Sequence, residues 1–267
     1  MRLSTGSFVA GYFVLGRLGE GSVSTVYRVF DEELGREAAL KLTPTEMARD
    51  VELLRTLRHP NLLPIHGSGT VQAHVWLLTE LLEGGTLRRL MGAPTRLEDA
   101  VRILGPLAAG LDHAHRHGLL NGAIRPENVR LTAAGVPVLA GFESLDVSGS
   151  PDYMSPERCL GEQPTTWSDL YSMGVLAYEL LTGRLPFAGT PAEIAAAHVS
   201  AMPAPSGLSG GLEGALARAL SKHPSARFSS ATELVGALAG TAAPAPEPAA
   251  QVRAQGGLFG RLRLGAS

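Results

Sequence analysis

The sequence is poor in cysteine, in long apolar runs and in excess charge of either sign. A single cysteine, Cys159, stands among 267 residues. No internal disulfide can therefore form, and a cytoplasmic, reducing location is expected. We find no run of about 18 apolar residues, so we expect no membrane span. The 23 basic and 25 acidic residues nearly cancel, which argues against nucleic-acid binding driven by charge alone.

The chain nevertheless has enough apolar residues to build a sizeable core. Hydrophobic residues make up 45% of it, which excludes a disordered chain and suits one large domain or two small lobes. The composition changes after Gly240. Residues 241–250 read as an Ala/Pro linker, and residues 251–267 form a short tail with three arginines and no acid. We predict that 241–267 is disordered.

The first part of the chain is predicted to be rich in β-strand. The strand-like runs are YFVLGRLG, STVYRVF, EAALKL and, further along the chain, VWLLTELL. Gly19 ends the first run and Gly21 follows it, and the backbone amides of such a glycine loop can lie over phosphates. Ala39 and Lys41 alternate in the third run, so they point to the same face and place a cation beneath the loop.

The rest of the chain is predicted to be mostly helical. The spacing of apolar residues over 47–57 predicts an amphipathic helix. The segment WSDLYSMGVLAYELLTG is apolar almost all round, which predicts a buried central helix with Gly183 as its C-terminal cap. Further helices are predicted from about Val101 to near Gly118, and near 191–200, 210–221 and 229–239.

Six segments, in order, resemble those of bacterial Ser/Thr protein kinase domains. They are LGEGSVSTVYRVFDEELGREAALK, RDVELLRTLRHPNLLPIHG, LLTELLEGGTL, GSPDYMSPE, WSDLYSMGVLAYELLTGRLPF and HPSARFSSATEL. The resemblance implies an α+β, two-lobed kinase-like domain over residues 11–240, with a nucleotide cleft between the lobes. Its small β-rich lobe, with the helix called αC, would span about 11–82, and its larger helical lobe about 83–240.

The resemblance also assigns the residues that would contact the nucleotide. They are Gly19, Gly21, Val26, Ala39, Lys41, Asp50, Glu80 and Leu82. Asp50 stands where the family has an acid that pairs with the lysine, and Glu80 and Leu82 would contribute hinge backbone. ATP is the implied cofactor. Arg130, however, replaces an apolar residue that usually lies under adenine, which leaves ATP binding open.

Two positions that carry the family's chemistry have lost their functional groups. The family's loop His-Arg-Asp-x-Lys-Pro-x-Asn reads NGAIRPEN here, over 121–128. Ala123 thus stands at the position of the catalytic base, and Arg125 and Asn128 are the residual loop residues. The methyl group of Ala123 cannot accept a proton, and base catalysis accelerates a reaction by about 10²–10⁴-fold.

The family's metal motif, Asp-Phe-Gly, reads Gly141-Phe142-Glu143. The principal Mg²⁺ ligand is therefore missing, and Asn128 alone is a poor site for an ion that prefers carboxylates with substrate phosphates. Mg²⁺ is accordingly not expected, and no metal ligand is assigned.

The residues that brace the scaffold in the family are kept. Phe142 is retained as a packing residue, and Asp169 matches the residue that holds the catalytic-loop backbone. Glu157 and Arg227 match a buried ion pair of the large lobe, and such a pair is costly to break singly. The losses thus fall on the chemistry and spare the scaffold.

These patterns predict a pseudokinase: a kinase-fold protein without catalysis that binds ATP without metal. It would act as a scaffold or allosteric regulator in signalling, with protein partners such as an active kinase or its substrate. Two alternatives stay open. One is a weakly active Ser/Thr protein kinase in which Glu127 or Glu143 supplies a carboxylate. The other is a kinase-fold enzyme that transfers another group, such as AMP.

Overall fold

The computed structural model describes residues 2–21, 23–33, 35–45, 51–142 and 151–240. A six-stranded sheet forms the first lobe, and the second lobe is mainly helical. This arrangement confirms the predicted α+β, two-lobed fold. The predicted linker and tail, 241–267, lie outside the described residues.

The small lobe is one antiparallel sheet. Its strands are β1 (Phe8–Val9), β2 (Tyr12–Glu20), β3 (Thr25–Asp31), β4 (Arg36–Pro44), β5 (Ile65–Val71) and β6 (His74–Glu80). Their order across the sheet is β1-β2-β3-β4-β6-β5. Alternate side chains of the central strands, among them Val14, Tyr27, Val29 and Leu40, are fully buried in a core on one face, as expected for a sheet with one covered side.

Two of these strands, β1 and β5, were not predicted from the sequence. β1 has only two residues, too few to show any periodicity. β5 reads IHGSGTV and lacks an alternating apolar run. A Cβ on Gly69 would lie 2.8 Å from Trp76 Nε1, so its glycine makes room for the indole of the neighbouring strand.

The helices of the large lobe are α2 (Leu97–Arg116), α3 (Pro156–Cys159), α4 (Thr166–Thr182), α5 (Pro191–Ser200), α6 (Gly210–Ala219) and α7 (Ala231–Ala239). They fall close to the predicted positions, except α3, which was not predicted. α1 (Val51–Thr56) belongs to the small lobe and is the described part of the helix predicted over 47–57. Asp50 lies outside the described residues. Within the described ranges, no helix is long and apolar enough to cross a bilayer.

The central helix α4 organises the large lobe. Every residue from Ser168 to Leu181 is buried, which confirms the prediction from its all-round apolar sequence. Gly183 ends the helix in the left-handed conformation, with a φ of 72° and its N–H bonded to the Glu179 carbonyl. The α4 side chains that matter for the site, Asp169 and Glu179, therefore project from a rigid, buried element.

A small two-stranded sheet connects the catalytic-loop segment to the rest of the large lobe. β7 (Val129–Leu131) pairs with β8 (Pro137–Leu139) in antiparallel register. The Leu139 N–H also donates to the Asn61 carbonyl at 2.8 Å. These bonds fix the two segments that carry the catalytic and metal positions of the family, 121–128 and 141–142, at either end of one hairpin; Glu143 lies outside the described residues.

Candidate active site

The two lobes enclose a cleft of about 420 Å³, a volume typical of small-ligand sites. Seven of the eight predicted nucleotide-contacting residues line it, and the eighth, Asp50, lies outside the described residues. The seven are Gly19, Gly21, Val26, Ala39, Lys41, Glu80 and Leu82. The structure thus brings together residues that are up to 63 positions apart in the sequence (from 19 to 82).

Strand register explains how the upper part of the cleft is built. Gly19 pairs with Val26 across β2 and β3, and the Gly21 N–H closes the turn on the Ser24 carbonyl at 2.7 Å. Val26 in turn pairs with Lys41 across β3 and β4. The glycine hairpin therefore lies directly beside the lysine strand, and Ala39 lines the same cleft two residues before Lys41.

Buried Asp169 holds the backbone of the catalytic-loop segment. Its Oδ1 accepts the Gly122 N–H at 2.7 Å, and its Oδ2 accepts the Asn121 N–H at 2.8 Å. His115 Nε2 also lies 2.8 Å from Oδ2. Charged acceptors make the stronger hydrogen bonds, so this aspartate fixes the loop from the core of the lobe.

The loop is closed on itself at the position of the missing base. The Ala123 N–H donates to Asn121 Oδ1 at 3.0 Å, and the Ala123 carbonyl accepts from Asn128 Nδ2 at 2.8 Å. The amide of Asn128 therefore serves the loop backbone. What Ala123 offers to the cleft is a methyl group, which can neither accept a proton nor orient a hydroxyl.

Gly141 occupies the metal position in a conformation that suits glycine. Its φ is 93°, and a Cβ built there would lie 2.9 Å from Asn128 Nδ2. Any side chain at this position would therefore require Asn128 to move. Among the described residues, no group of three or more His, Cys, Asp or Glu side chains is arranged to hold a metal ion.

Two arginines line the cleft around the same loop. Arg158, in α3, donates from Nη1 to the Gly122 carbonyl. Arg125 Nε has no hydrogen-bond partner among the described residues. Glu127 Oε2 lies 3.9 Å from it, which is close enough for an ion pair but too far for a hydrogen bond. With Lys41, these side chains give the loop end of the cleft three cations. Sequence reasoning missed Arg158 because no motif marks it.

A fourth cation, Arg130, lies at the hinge end of the cleft. Together with Leu82, Arg130 lines both the main cleft and a second cavity at the mouth of the cleft. Burial lowers the pKa of this guanidinium, but an arginine side chain remains protonated in proteins. No ion pair or side-chain hydrogen bond to it occurs within the described residues.

The carboxylate of Glu127, a candidate replacement base, is held by an ion-pair network. Arg88 Nε lies 2.6 Å from Glu127 Oε1, and Arg88 Nη1 lies 2.6 Å from Glu179 Oε1. Arg88 Nη2 donates to the Tyr153 hydroxyl, which in turn donates to Glu179. Burial and the bond to Glu179 raise the pKa of Tyr153 above its usual range. This network could not be predicted from short motifs, because its members are 26 to 91 positions apart.

Glu157 and Arg227 form a buried, bidentate ion pair. The two guanidinium nitrogens lie 2.8 Å from the two carboxylate oxygens, and the Arg227 side chain is fully buried. Burial opposes ionisation of Glu157, but hydrogen bonds from Arg227 and Ser168 outweigh it and lower the pKa of Glu157. Phe142 is buried in the same large core. The predicted scaffold residues thus make the contacts expected of a brace.

A glycine hairpin beside a strand lysine, a hinge and a loop held by a buried aspartate define a protein-kinase type of cleft. The chain belongs to the protein kinase family: residues 12–237 match the family described as "Protein kinase domain". This match confirms the resemblance to bacterial kinase domains. Membership of the family implies ATP binding.

Bacterial Ser/Thr protein kinases are among the relatives of this chain. It is 35% identical over 205 residues to serine/threonine-protein kinase PknL of Mycobacterium tuberculosis, covering 68% of this chain and 51% of that protein. It is 31% identical over 215 residues to PrkC of Bacillus subtilis, covering 71% and 33%. The chain therefore spans about half, or less, of the length of these relatives.

Solved structures agree with this assignment. The kinase domain of Mycobacterium tuberculosis PknI superimposes with a TM-score of 0.72 at 27% identity, covering 90% of this chain and all of that domain. The fold and the bacterial Ser/Thr kinase relationship are therefore shown. The relatives are named as kinases, which matches the predicted alternative of a Ser/Thr kinase more closely than the predicted loss of catalysis.

Proposed function

We propose that this protein is a pseudokinase that binds a nucleotide without a metal ion and regulates a protein partner through that bound state. One observation carries the proposal. The two positions that hold carboxylates for base and metal in the family are Ala123 and Gly141. Phosphoryl transfer is mostly positioning and charge neutralisation, and these two side chains contribute neither.

The surroundings of the two positions do not compensate for the loss. Asn128 donates to the Ala123 carbonyl through Nδ2, so its neutral Oδ1 is the ligand atom that it can offer, and one amide oxygen without a carboxylate is a poor site for Mg²⁺. Glu127 is paired with Arg88, so its carboxylate is held away from the role of a free base. Loss of base catalysis alone lowers turnover by about 10²–10⁴-fold, and loss of the metal clamp adds to it.

The cations of the cleft support binding of phosphate groups without Mg²⁺. Lys41, Arg125 and Arg158 line the loop end of the cleft. Guanidinium groups bind phosphate oxygens in a bidentate, charge-assisted manner. They would neutralise the di- or triphosphate where an active kinase uses a metal ion.

The second candidate is a weakly active Ser/Thr protein kinase. The names of PknL and PrkC favour it. In this reading Glu127 leaves Arg88 when substrate binds and orients the attacking hydroxyl. The reading requires Mg²⁺ or Mn²⁺, and it predicts phosphorylation of a protein substrate.

Turnover of ATP by the purified protein separates the two readings. We expect no phosphoryl transfer to protein with Mg²⁺ or Mn²⁺ above that of Lys41→Met, which removes the cleft lysine. A Glu127→Gln variant serves as the second comparison, because it removes the candidate base. Activity in the wild-type protein that both substitutions abolish would overturn the pseudokinase proposal and establish the weak kinase.

The proposed partner is a protein, such as an active kinase or its substrate. The single cysteine favours a reducing compartment such as the cytosol, and burial raises the pKa of the Cys159 thiol, which makes it less reactive. The partner would respond to the arrangement of the two lobes around the nucleotide, as expected when a ligand shifts a population of conformations.

A further inference from the structure

Arg130 is the charged group of the cleft that the proposed function leaves without a role. Its partly buried guanidinium has no ion pair or side-chain hydrogen bond within the described residues, and it lines the cleft wall. A buried charged donor without a partner is costly. A ligand that supplies the missing acceptors would therefore gain from meeting it.

The position of Arg130 relative to the other cations sets which part of a nucleotide it meets. Arg125 and Arg158 line the main cleft but not the second cavity, whereas Arg130 lines both, beside the hinge residues Leu81 and Leu82. The backbone of Arg130 also bridges to Thr86, just after the hinge. If the phosphates lie at the loop end, the base lies at the end that contains Arg130.

The walls of that end suit a flat ring. Val26 and Ala39 line it from the sheet, and buried Leu82 lines it from the hinge. Apolar walls with one fixed polar group are the usual construction of a site that both holds and orients a ring. The guanidinium of Arg130 can then supply the charged contact that selects the base.

A guanidinium donates hydrogen bonds and accepts none. Guanine presents two adjacent acceptors, O6 and N7, and arginine bonds to both at once. Adenine presents the N7 acceptor beside the N6 amino group, which is a donor. One N–H of the arginine would therefore face another donor and form no hydrogen bond. A site with arginine at the base end therefore discriminates between these purines.

We propose that the cleft binds 6-oxopurine nucleotides more tightly than adenine nucleotides, with Arg130 donating to O6 and N7 of the base. The inference rests on the proposed binding of a nucleotide. It concerns the preferred base and leaves ATP as the weaker ligand. Guanosine and inosine nucleotides share the recognised edge and differ at position 2 of the ring.

Calorimetric titration of the whole chain in EDTA with GDP, IDP, ADP and 7-deaza-GDP tests the inference. We expect GDP and IDP to bind about tenfold more tightly than ADP, the scale of a bidentate arginine contact. 7-deaza-GDP lacks the N7 acceptor and should fall between them. GDP binding much more tightly than IDP would show that the 2-amino group, and not the O6/N7 edge, decides the preference, and would overturn the inference.

Variants identify the responsible arginine. Arg130→Leu should abolish the preference, because it removes the guanidinium that donates to O6 and N7. Arg89→Leu is the matched control, since Arg89 is exposed and lines only the mouth; it should leave the preference unchanged. Thermal unfolding without ligand verifies that each variant is folded.

The results distinguish failure of this inference from failure of the proposed function. Equal affinity for GDP and ADP, or a preference that survives Arg130→Leu, would overturn the inference and leave metal-free nucleotide binding intact. Absence of binding by all four nucleotides would overturn both.

Discussion

Removing Arg227 should destabilise the large lobe by an amount that depends on pH. Arg227→Met keeps the length of the apolar stem and removes five hydrogen bonds: two to Glu157 and three to the carbonyls of Trp167, Ser221 and Lys222. It also leaves the Glu157 carboxylate buried without its cation. Breaking one side of a buried pair costs about 3–5 kcal/mol.

That free-energy loss converts into a shift large enough to measure. For a domain of this size, 1 kcal/mol lowers the unfolding midpoint by about 2–4 °C. We therefore expect Arg227→Met to unfold roughly 6–20 °C below the wild-type protein at neutral pH. Differential scanning calorimetry measures the shift, and Arg184→Met, which removes an exposed arginine of the same lobe, is the control.

The pH dependence follows from the lowered pKa of Glu157. A carboxyl group whose pKa is lowered on folding stabilises the native state above its usual pKa of 4.5 and loses that contribution as the pH falls through the folded value. The difference in free energy of unfolding between the wild-type protein and Arg227→Met should therefore become smaller below about pH 4.5. Glu157→Gln with Arg227→Met should be less destabilised than Arg227→Met alone. If Arg227→Met lost less than about 1 kcal/mol of unfolding free energy, or if its difference from wild type did not change with pH, the account would be refuted.

Three further predictions concern the catalytic-loop segment. Arg158→Gln should weaken ADP binding in EDTA by about tenfold or more, the value of a charge-assisted bond, as isothermal calorimetry would measure; unchanged affinity would remove Arg158 from the site. Asp169→Asn should lower the free energy of unfolding by about 1–3 kcal/mol, because a charged acceptor of two loop N–H groups is lost; a smaller effect in urea unfolding would contradict its bracing role. Ala123→Asp with Gly141→Asp should not restore full kinase activity, since a Cβ at 141 meets Asn128 at 2.9 Å; strong transfer of labelled phosphate by this double variant would show a preorganised site.

Much of the site could be predicted because it follows from local register and short motifs. Ala39 and Lys41 share a face by strand alternation, and a glycine turn precedes them. The buried helix α4 was evident from its apolar sequence. These features depend on residues that are close together in the chain, so a sequence pattern is enough to predict them.

The contacts that were missed depend on tertiary placement. Arg88 bonds to Glu127 and Glu179, which follow it by 39 and 91 positions. Arg158 reaches the Gly122 carbonyl only because α3 lies against the loop. The strand β5 was missed because its glycines give space to Trp76 and carry no apolar pattern. Each of these features is set by a partner elsewhere in the chain.

The most direct test of metal-free nucleotide binding is calorimetric titration of the purified protein with ADP in EDTA and again with Mg²⁺. The account predicts binding in EDTA that Mg²⁺ does not strengthen, because guanidinium groups occupy the end of the cleft where a metal would act. It also predicts the loss of most of that affinity in a combined Arg125→Gln, Arg158→Gln variant. Binding that requires Mg²⁺, or binding by that variant equal to wild type, would contradict the central claim.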